Sequence, residues 1–448
     1  MTDTLEDLCA GLLDRAKAAG ADAADVLAVK GSSVSIDVRN GVLEQAERSE
    51  ATDIGLRVFI GQRVANVSSS DVRGPSLAII AERAVAMARE APEDQFVGLA
   101  TADQLATERG SDALELFDPS EEPSPTALED DARSAEAAAL AVDGVTQVSA
   151  SSASYGSQDV YLAATNGFAG GYQRTSRSTS CVAIAGTGTG MERDYDGDQR
   201  IFQNDLRSPE DIGRTAAART LERVAPRKPK TGAYPVLFDE RISSSLIGHL
   251  LSAINGVSIA RRSSWALDLL GQQVLPDTLS LIEDPTRKRV SGSRPFDAEG
   301  LATQRRSIVD NGVLTGWTLD LATARKLDMQ PTANAARSTS GGPSPTVWNA
   351  ALTQGDATRE DLIAQMGTGL VVTSMIGSTI NPNNGDYSRG AAGFWVENGD
   401  IAYPVSGVTI AGNLRDMLKS IVPANDARPW LSRVVPSLLV EGLTLAGE

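Results

Sequence analysis

The amino-acid sequence predicts an α+β fold: a mixed helix and strand region over 1–226, then a strand-rich domain over 231–448. Three observations lead there. Leu5, Leu8, Cys9, Leu12, Leu13 and Ala16 recur at helical spacing and outline one face of an opening helix. Val34, Ile36 and Val38 then alternate with polar residues up to Asn40-Gly41, a pair suited to the positive φ angles of a tight hairpin. Glycine is abundant, at 41 of 448 residues, which favours turns and hairpins over a purely helical chain.

The remaining elements follow in order. A second hairpin is expected around Gly61-Gln62, between GLRVFI and RVANVS, and a helix rich in Ala and Arg over about 74–90. Residues 91–126 are acidic, Pro-bearing and weakly periodic, marking a loop or a sub-boundary. Ser124-Pro125 leads into an Ala-rich helix that stops near Asp143-Gly144. Alternating segments fill 145–190, with turns expected at Tyr155-Gly156 and Asn166-Gly167, and a helix follows at about 208–224. The stretch APRKPKTGAYP, 225–235, combines prolines and basic residues without periodicity and is the best domain boundary. Beyond it, a helix at about 239–254 precedes strands punctuated by Asn311-Gly312, Gly341-Gly342-Pro343, Asn384-Gly385 and Asn398-Gly399.

Aromatic residues are only 4% of the chain, so the core must rest on Ala, Val, Leu and Ile. The net charge of −17 repels phosphate backbones, which argues against direct nucleic-acid binding. The basic clusters Arg227–Lys230, Arg287–Arg289 with Arg294, and Arg305-Arg306 read as solvated loops. The start is acidic and amphipathic, without the basic and apolar regions of a signal peptide, and no apolar run reaches membrane-spanning length. A cytoplasmic protein with no membrane partner is therefore expected. Cys9 and Cys181, far apart and in apolar or strand-like contexts, read as reduced core thiols.

Much chemistry is excluded outright. His249 is the only histidine, so no site in this chain can use two imidazoles, and the cysteines lack metal-binding spacing. There is no phosphate-binding G-x-x-x-x-G-K-[ST] and no G-x-S-x-G elbow. Gly186, Gly188 and Gly190 read as a turn or loop. Ser245 and His249 share a helical face near Asp239, but a mid-helix serine has no evident oxyanion hole, and its hydroxyl is expected to bond back to its own helix.

The second half carries the runs YPVLFDERISSSLIGHLLSAINGVSIARRSSW, SGSRPFDAEGLATQRRSIVDNGVLTGW, GGPSP, GDYSRGAAGFWVENGDIAYPVSGVTIAGNL and PSLLVEGLTLAGE. Together they resemble the TldD/PmbA family, in its PmbA (TldE) branch, over nearly all of 231–448. The first half is similar in character but less specific.

The resemblance implies a pair of paralogous subunits that degrade or trim unfolded or modified peptides. The TldD member carries zinc on a helical H-E-x-x-x-H completed by a late cysteine, with its glutamate polarising the metal-bound water. Laid on this chain, the motif places Ser244 at the first histidine, Ser245 at the glutamate and His249 at the second histidine, and no cysteine follows Cys181. The resemblance thus implies a non-catalytic subunit without cofactor, its zinc held by a TldD-type partner. Positions five apart lie about 140° apart on an ideal helix. An intact motif therefore needs a distorted or terminating helix, and Gly248 stands where distortion is tolerated. Tyr387, Arg389, Phe394 and Trp395 are residue types enriched at binding hot spots and are candidate peptide or partner contacts, as is the Gly-rich turn Gly341–Pro345. The alternative is a homo-oligomeric peptide-binding or regulatory protein, the family also being associated with candidate modulators of DNA gyrase.

Overall fold

In the computed structural model, residues 4–447 are described; Met1–Asp3 of the acidic start and Glu448 of the C-terminal run lie outside them. The opening helix α1, Leu5–Ala18, begins with a reciprocal cap in which Thr4 Oγ1 accepts from the Asp7 amide and Asp7 accepts from the Thr4 amide, each at 3.1 Å. Leu8, Cys9, Leu12 and Ala16 form its buried face, as the helical spacing predicts. Cys9 and Cys181 are both buried free thiols, and burial pushes each up to about 12.

Six antiparallel strands follow: β1 (Ala23–Arg39), β2 (Val42–Ile60), β3 (Arg63–Ser69), β4 (Val145–Ala164), β5 (Ala169–Ala185) and β6 (Glu192–Arg200). They form one sheet in the order β3-β2-β1-β4-β5-β6. Asn40 and Gly41 make the expected turn, at φ 53° and 70°. Glu136 fixes it from helix α3 (Pro125–Leu140), its two carboxylate oxygens accepting from the Asn40 and Gly41 amides at 2.6 and 2.7 Å. Helices α1, α2 (Gly74–Glu90), α3 and α4 (Pro209–Glu222) cover one face of the sheet. Val34, Ile36 and Val38 pack against Leu128 and Ala132 of α3, while Cys181 and Ala183 pack against Ile212 and Ala216 of α4. The alternation read from the sequence is therefore the alternation between helix-covered and uncovered faces.

One expected turn is absent. β4 runs unbroken through Tyr155-Gly156, because Gly156 is paired on both sides, with Ser33 of β1 and Ser176 of β5. Central pairing overrides a local turn signal here.

The second half is built round β7 (Gly232–Phe238) and helix α5 (Glu240–Ala253). β7 lies between the parallel strand Gly369–Ile380 and the antiparallel strand Leu438–Ala446. Asp386–Glu397 and Asp400–Asn413 extend the sheet beyond Gly369–Ile380. Asp400–Asn413 then pairs with Leu438–Ala446, Ile410 opposite Leu445, so the ribbon closes on itself. α5 packs on one surface through Leu246, Ile247 and Leu250, and the helix Arg359–Met366 on the other through Leu362, Ile363 and Met366. Burial on both faces explains the continuous apolar run in YPVLF. Short strands at 281–283, 306–310, 313–314, 350–352 and 433–434 make a smaller sheet.

The two halves meet across a buried seam. Asp25 of β1 accepts from Arg57 Nε of β2 at 2.8 Å and from Arg337, while Arg57 lies 3.7 Å from Glu299. Contact is close enough that a Cβ on Gly55 would fall 2.0 Å from the Thr339 carbonyl oxygen. The turn Gly341–Pro345 sits beside this seam, its Gly342 facing Asn66 of β3.

The basic clusters are not uniformly solvated surface. Arg306 pairs at 2.7 Å with Glu283, which is 1% exposed, and Arg294 is largely buried against Trp348. Their partners come from distant parts of the chain, which is why local charge density misreads them. Among the described residues, no helix is long and apolar enough to cross a membrane.

Candidate functional site

Helix α5 starts at Asp239, whose carboxylate accepts from the Arg241 amide at 3.2 Å. The same carboxylate holds the guanidiniums of Arg241 and Arg359, so it is not free to orient an imidazole. The distortion expected near Gly248 is not found: α5 is continuous α-helix over Glu240–Ala253, and a Cβ on Gly248 would meet nothing within 4 Å. Ser244 and His249 therefore keep the divergence of an ideal helix and do not converge on one point. Ser244 is half-buried. Ser245 Oγ donates to the Ile242 carbonyl at 2.7 Å, the back-bonding expected of a mid-helix serine.

His249 meets a residue that the sequence singled out separately. Its ring stands edge-on to Tyr387, with centroids 5.8 Å apart and planes at 72°. Nε2 is buried without a hydrogen-bond partner. Burial, reinforced by the nearby Arg389 cation, pulls the imidazole down to about 4. Tyr387 is 2% exposed; its hydroxyl donates to Met375 Sδ at 3.2 Å, and burial pushes it up to about 12. Arg389, half-buried, donates through Nε to the Gly377 carbonyl at 2.7 Å.

Phe394 and Trp395 lie further along the same strand, on opposite faces of the closed sheet. Phe394 packs with Leu237, Leu362 and Val371, whereas Trp395 meets Tyr234 edge-on at 4.9 Å. Both side chains are engaged in this chain's own core. The structure thus gathers His249, Tyr387 and Arg389, and sets Phe394 and Trp395 apart from them.

Zinc would find a poor ligand set here. One imidazole, two hydroxyls and an adjacent guanidinium do not match the nitrogen, thiolate and carboxylate donors it prefers. Among the described residues, no group of three or more His, Cys, Asp or Glu side chains is placed to hold a metal ion.

A separate cleft of about 840 Å³ lies on the face of the first sheet that the helices leave uncovered. Gly31, Ser33, Ser176 and Ser178 form its floor, and Arg241, Arg428 and Trp430 come from the second half. Most arginines around it are neutralised: Arg241 by Asp194 and Asp239, Arg289 by Glu115 and Asp205, and Arg428 by Glu240. No motif announces this cleft, whose wall is assembled from residues about 400 positions apart, between Val29 and Ser432. The single usable signal was the run of Ser and Gly at uncovered strand positions.

Comparison with known proteins fits this architecture. Family profiles described as PmbA/TldA metallopeptidase domain 1, central domain and C-terminal domain match residues 24–88, 118–224 and 231–447. The metalloprotease PmbA of Escherichia coli O157:H7 is 37% identical over 430 residues, spanning 95% of this chain and 93% of that protein. A PmbA homologue of Haemophilus influenzae is 36% identical over 97% of this chain and 94% of its own length. A crystal structure from Bacteroides thetaiotaomicron, of a candidate modulator of DNA gyrase, superposes with a TM-score of 0.91 at 29% identity, covering 99% of this chain and 100% of that one. TldE from Thermococcus kodakarensis, at 18% identity and a TM-score of 0.85, covers 98% of this chain and 99% of its own, and shares the fold. From its sequence, its three matched domains and its fold, the chain belongs to the PmbA/TldD metallopeptidase family.

Proposed function

We propose that this chain is the non-catalytic, TldE/PmbA-type subunit of a metallopeptidase complex whose TldD-type partner carries the zinc, and that the pair degrades or trims unfolded or modified peptides. What supports this is the α5 locus. Ser245 is bonded to its own helix, His249 is a lone imidazole held low by burial and Arg389, and the two serines cannot replace a carboxylate base. Proteolysis comes from the similarity to metalloprotease PmbA. The serine-floored cleft beside the first sheet is suited to an extended chain, whose backbone would meet serine hydroxyls. Of the four candidate contact residues, Tyr387, Phe394 and Trp395 are committed to the core, so direct peptide or partner contact falls to Arg389.

The test is to purify this chain and the intact-motif paralogue from the same cell. Metal content and cleavage of an unfolded peptide are then measured for each chain and for the mixture. The expected result is no stoichiometric zinc and no turnover for this chain alone, with co-elution and a gain of activity on mixing. A permanent pair buries on the order of 2,000 Å² or more and should survive size-exclusion chromatography at moderate salt. Chelator-sensitive cleavage by this chain alone would overturn the assignment.

A second reading is a homo-oligomeric regulatory or peptide-binding protein. It is favoured by the likeness to two crystal structures of candidate gyrase modulators, at 29% and 26% identity. The net charge of −17 would direct any such effect to protein rather than DNA. Separate species on mixing, with no gain in turnover, would select it.

A further inference from the structure

A second cavity, of about 430 Å³, adjoins the cleft; Val29, Asp53, Gln158 and Arg174 stand in the walls of both. Three guanidiniums converge on it, from Arg174 of β5, Arg294 and Arg337. Such a concentration is notable in a chain whose net charge is −17. Arg174 donates to the backbone carbonyls of Ser291 and Ser293, and the Arg294 guanidinium carbon lies over the Trp348 ring, 3.5 Å from its centroid. Neither arginine forms an ion pair among the described residues. Arg294 Nε and Arg337 Nε and Nη2 are buried without hydrogen-bond partners, although Arg337 also reaches Asp25.

Two carboxylates share the wall. Asp297 is already occupied by the backbone amides of Glu299, Leu301 and Ala335, and Asp53 is half-buried at the mouth shared with the cleft. Buried guanidiniums with unused donors are unfavourable unless an anion completes them. Leu27, Val160, Leu162 and Phe296 give the lining an apolar side, beside the polar Gln158, Ser338 and Thr339. A bare phosphate would leave most of this space unfilled. An apolar side chain next to a carboxylate suits both ends of the cavity, and its volume is within the range of small-ligand pockets.

We propose that this cavity receives the free C-terminal carboxylate of a peptide ending in an apolar residue, with Arg174 and Arg294 as its direct partners and Arg337 behind them. The upstream residues of the peptide lie in the larger cleft. This deepens the peptide-handling function above and rests on it.

The test is calorimetric titration of the full chain with an unstructured peptide ending in leucine, as the free acid and as the C-terminal amide. Inorganic phosphate is a third titrant. The free acid is expected to bind at least about tenfold more tightly than the amide, the loss typical of a charge-assisted contact. Arg174→Gln and Arg294→Lys should each weaken the free acid about tenfold and leave the amide unchanged. The comparison of acid with amide uses the unaltered chain, so it does not depend on a variant folding. Equal affinity for the two peptides, or no binding of either, would overturn the proposal. Phosphate binding as tightly as the free acid would also overturn it, in favour of a simple oxyanion site. Co-elution with the TldD-type subunit, measured separately, tells whether the subunit assignment fails as well.

Discussion

Helix α5 and the seam between the two halves both concentrate polar side chains, yet they differ in how those side chains are used. On α5, the serines and His249 are isolated from one another: one hydroxyl turns back on the helix, and the imidazole stands against an aromatic edge and a repelling cation. At the seam, Asp25, Arg57, Arg337 and Glu299 are interlocked across elements far apart in sequence. On α5 the unfilled bonding capacity is a single imidazole nitrogen, His249 Nε2, whereas near the seam it belongs to guanidinium groups, Arg294 Nε and Arg337 Nε and Nη2. A motif records ancestry; present capacity is better judged from which polar groups are buried without partners.

Substitutions can break this contrast, and the seam should respond most. Asp25→Ala would strand Arg57 and Arg337 in the interior. A loss of about 3–5 kcal/mol in denaturant unfolding is expected, as for one partner removed from a buried ion pair. A loss below about 1 kcal/mol would mean that the seam is not what holds the halves together.

The seam also has a pH signature. Burial raises the Glu299 carboxyl well above the ordinary carboxylate range, so from the unfolded value of about 4.5 upward the folded state holds a proton that the unfolded state releases. This contribution is fully present below the unfolded value and is lost as pH rises through the folded one. Stability should fall with rising pH across that window, and Glu299→Gln should flatten the slope. An unchanged slope in the variant would refute this account.

His249 slopes the other way. Its folded value near 4 lies below the unfolded value of about 6.5, so the unfolded state takes up the proton first as pH falls. At pH 7, His249→Gln should alter stability by less than about 1 kcal/mol and leave turnover of the assembled pair largely intact, since Nε2 has no partner to lose. Between about 6.5 and 4 the unaltered chain should lose stability faster than the variant. A drop in turnover of several orders of magnitude, with assembly preserved, would return this residue to the chemistry. Smallest of all, Ser245→Ala should stay within about 0.5 kcal/mol of the unaltered chain, because its hydroxyl serves only its own helix.

How much was legible follows from the range of the forces involved. Asn40-Gly41 announces its turn because the conformation is dictated by two adjacent residues, and α1 announces itself through a face repeated within fourteen positions. Ser244, Ser245 and His249 were likewise readable as neighbours on one short helix, which the structure places at Glu240–Ala253. Tyr155-Gly156 misled because strands β1 and β5, distant in sequence, hold it extended. The nearness of His249 to Tyr387, and of Arg294 to Trp348, left no periodic trace. Charge runs misled for the same reason, since Arg306 and Arg294 find their buried surroundings only after the chain has returned on itself.

The closed ribbon of the second half has a consequence for how the protein is made. The first sheet is complete once residue 200 has been synthesised, and its covering helix α4 by residue 222. β7, by contrast, emerges early but must wait between two strands that are not both present until residue 446. During translation, roughly two hundred residues therefore leave the ribosome before β7 can acquire its second neighbour, with the apolar side of α5 lacking its full cover. Such delayed, non-local pairing is slow and exposes strand edges. The first sheet has all its strand neighbours by residue 200, whereas the second stays open at β7 until its last strand is made.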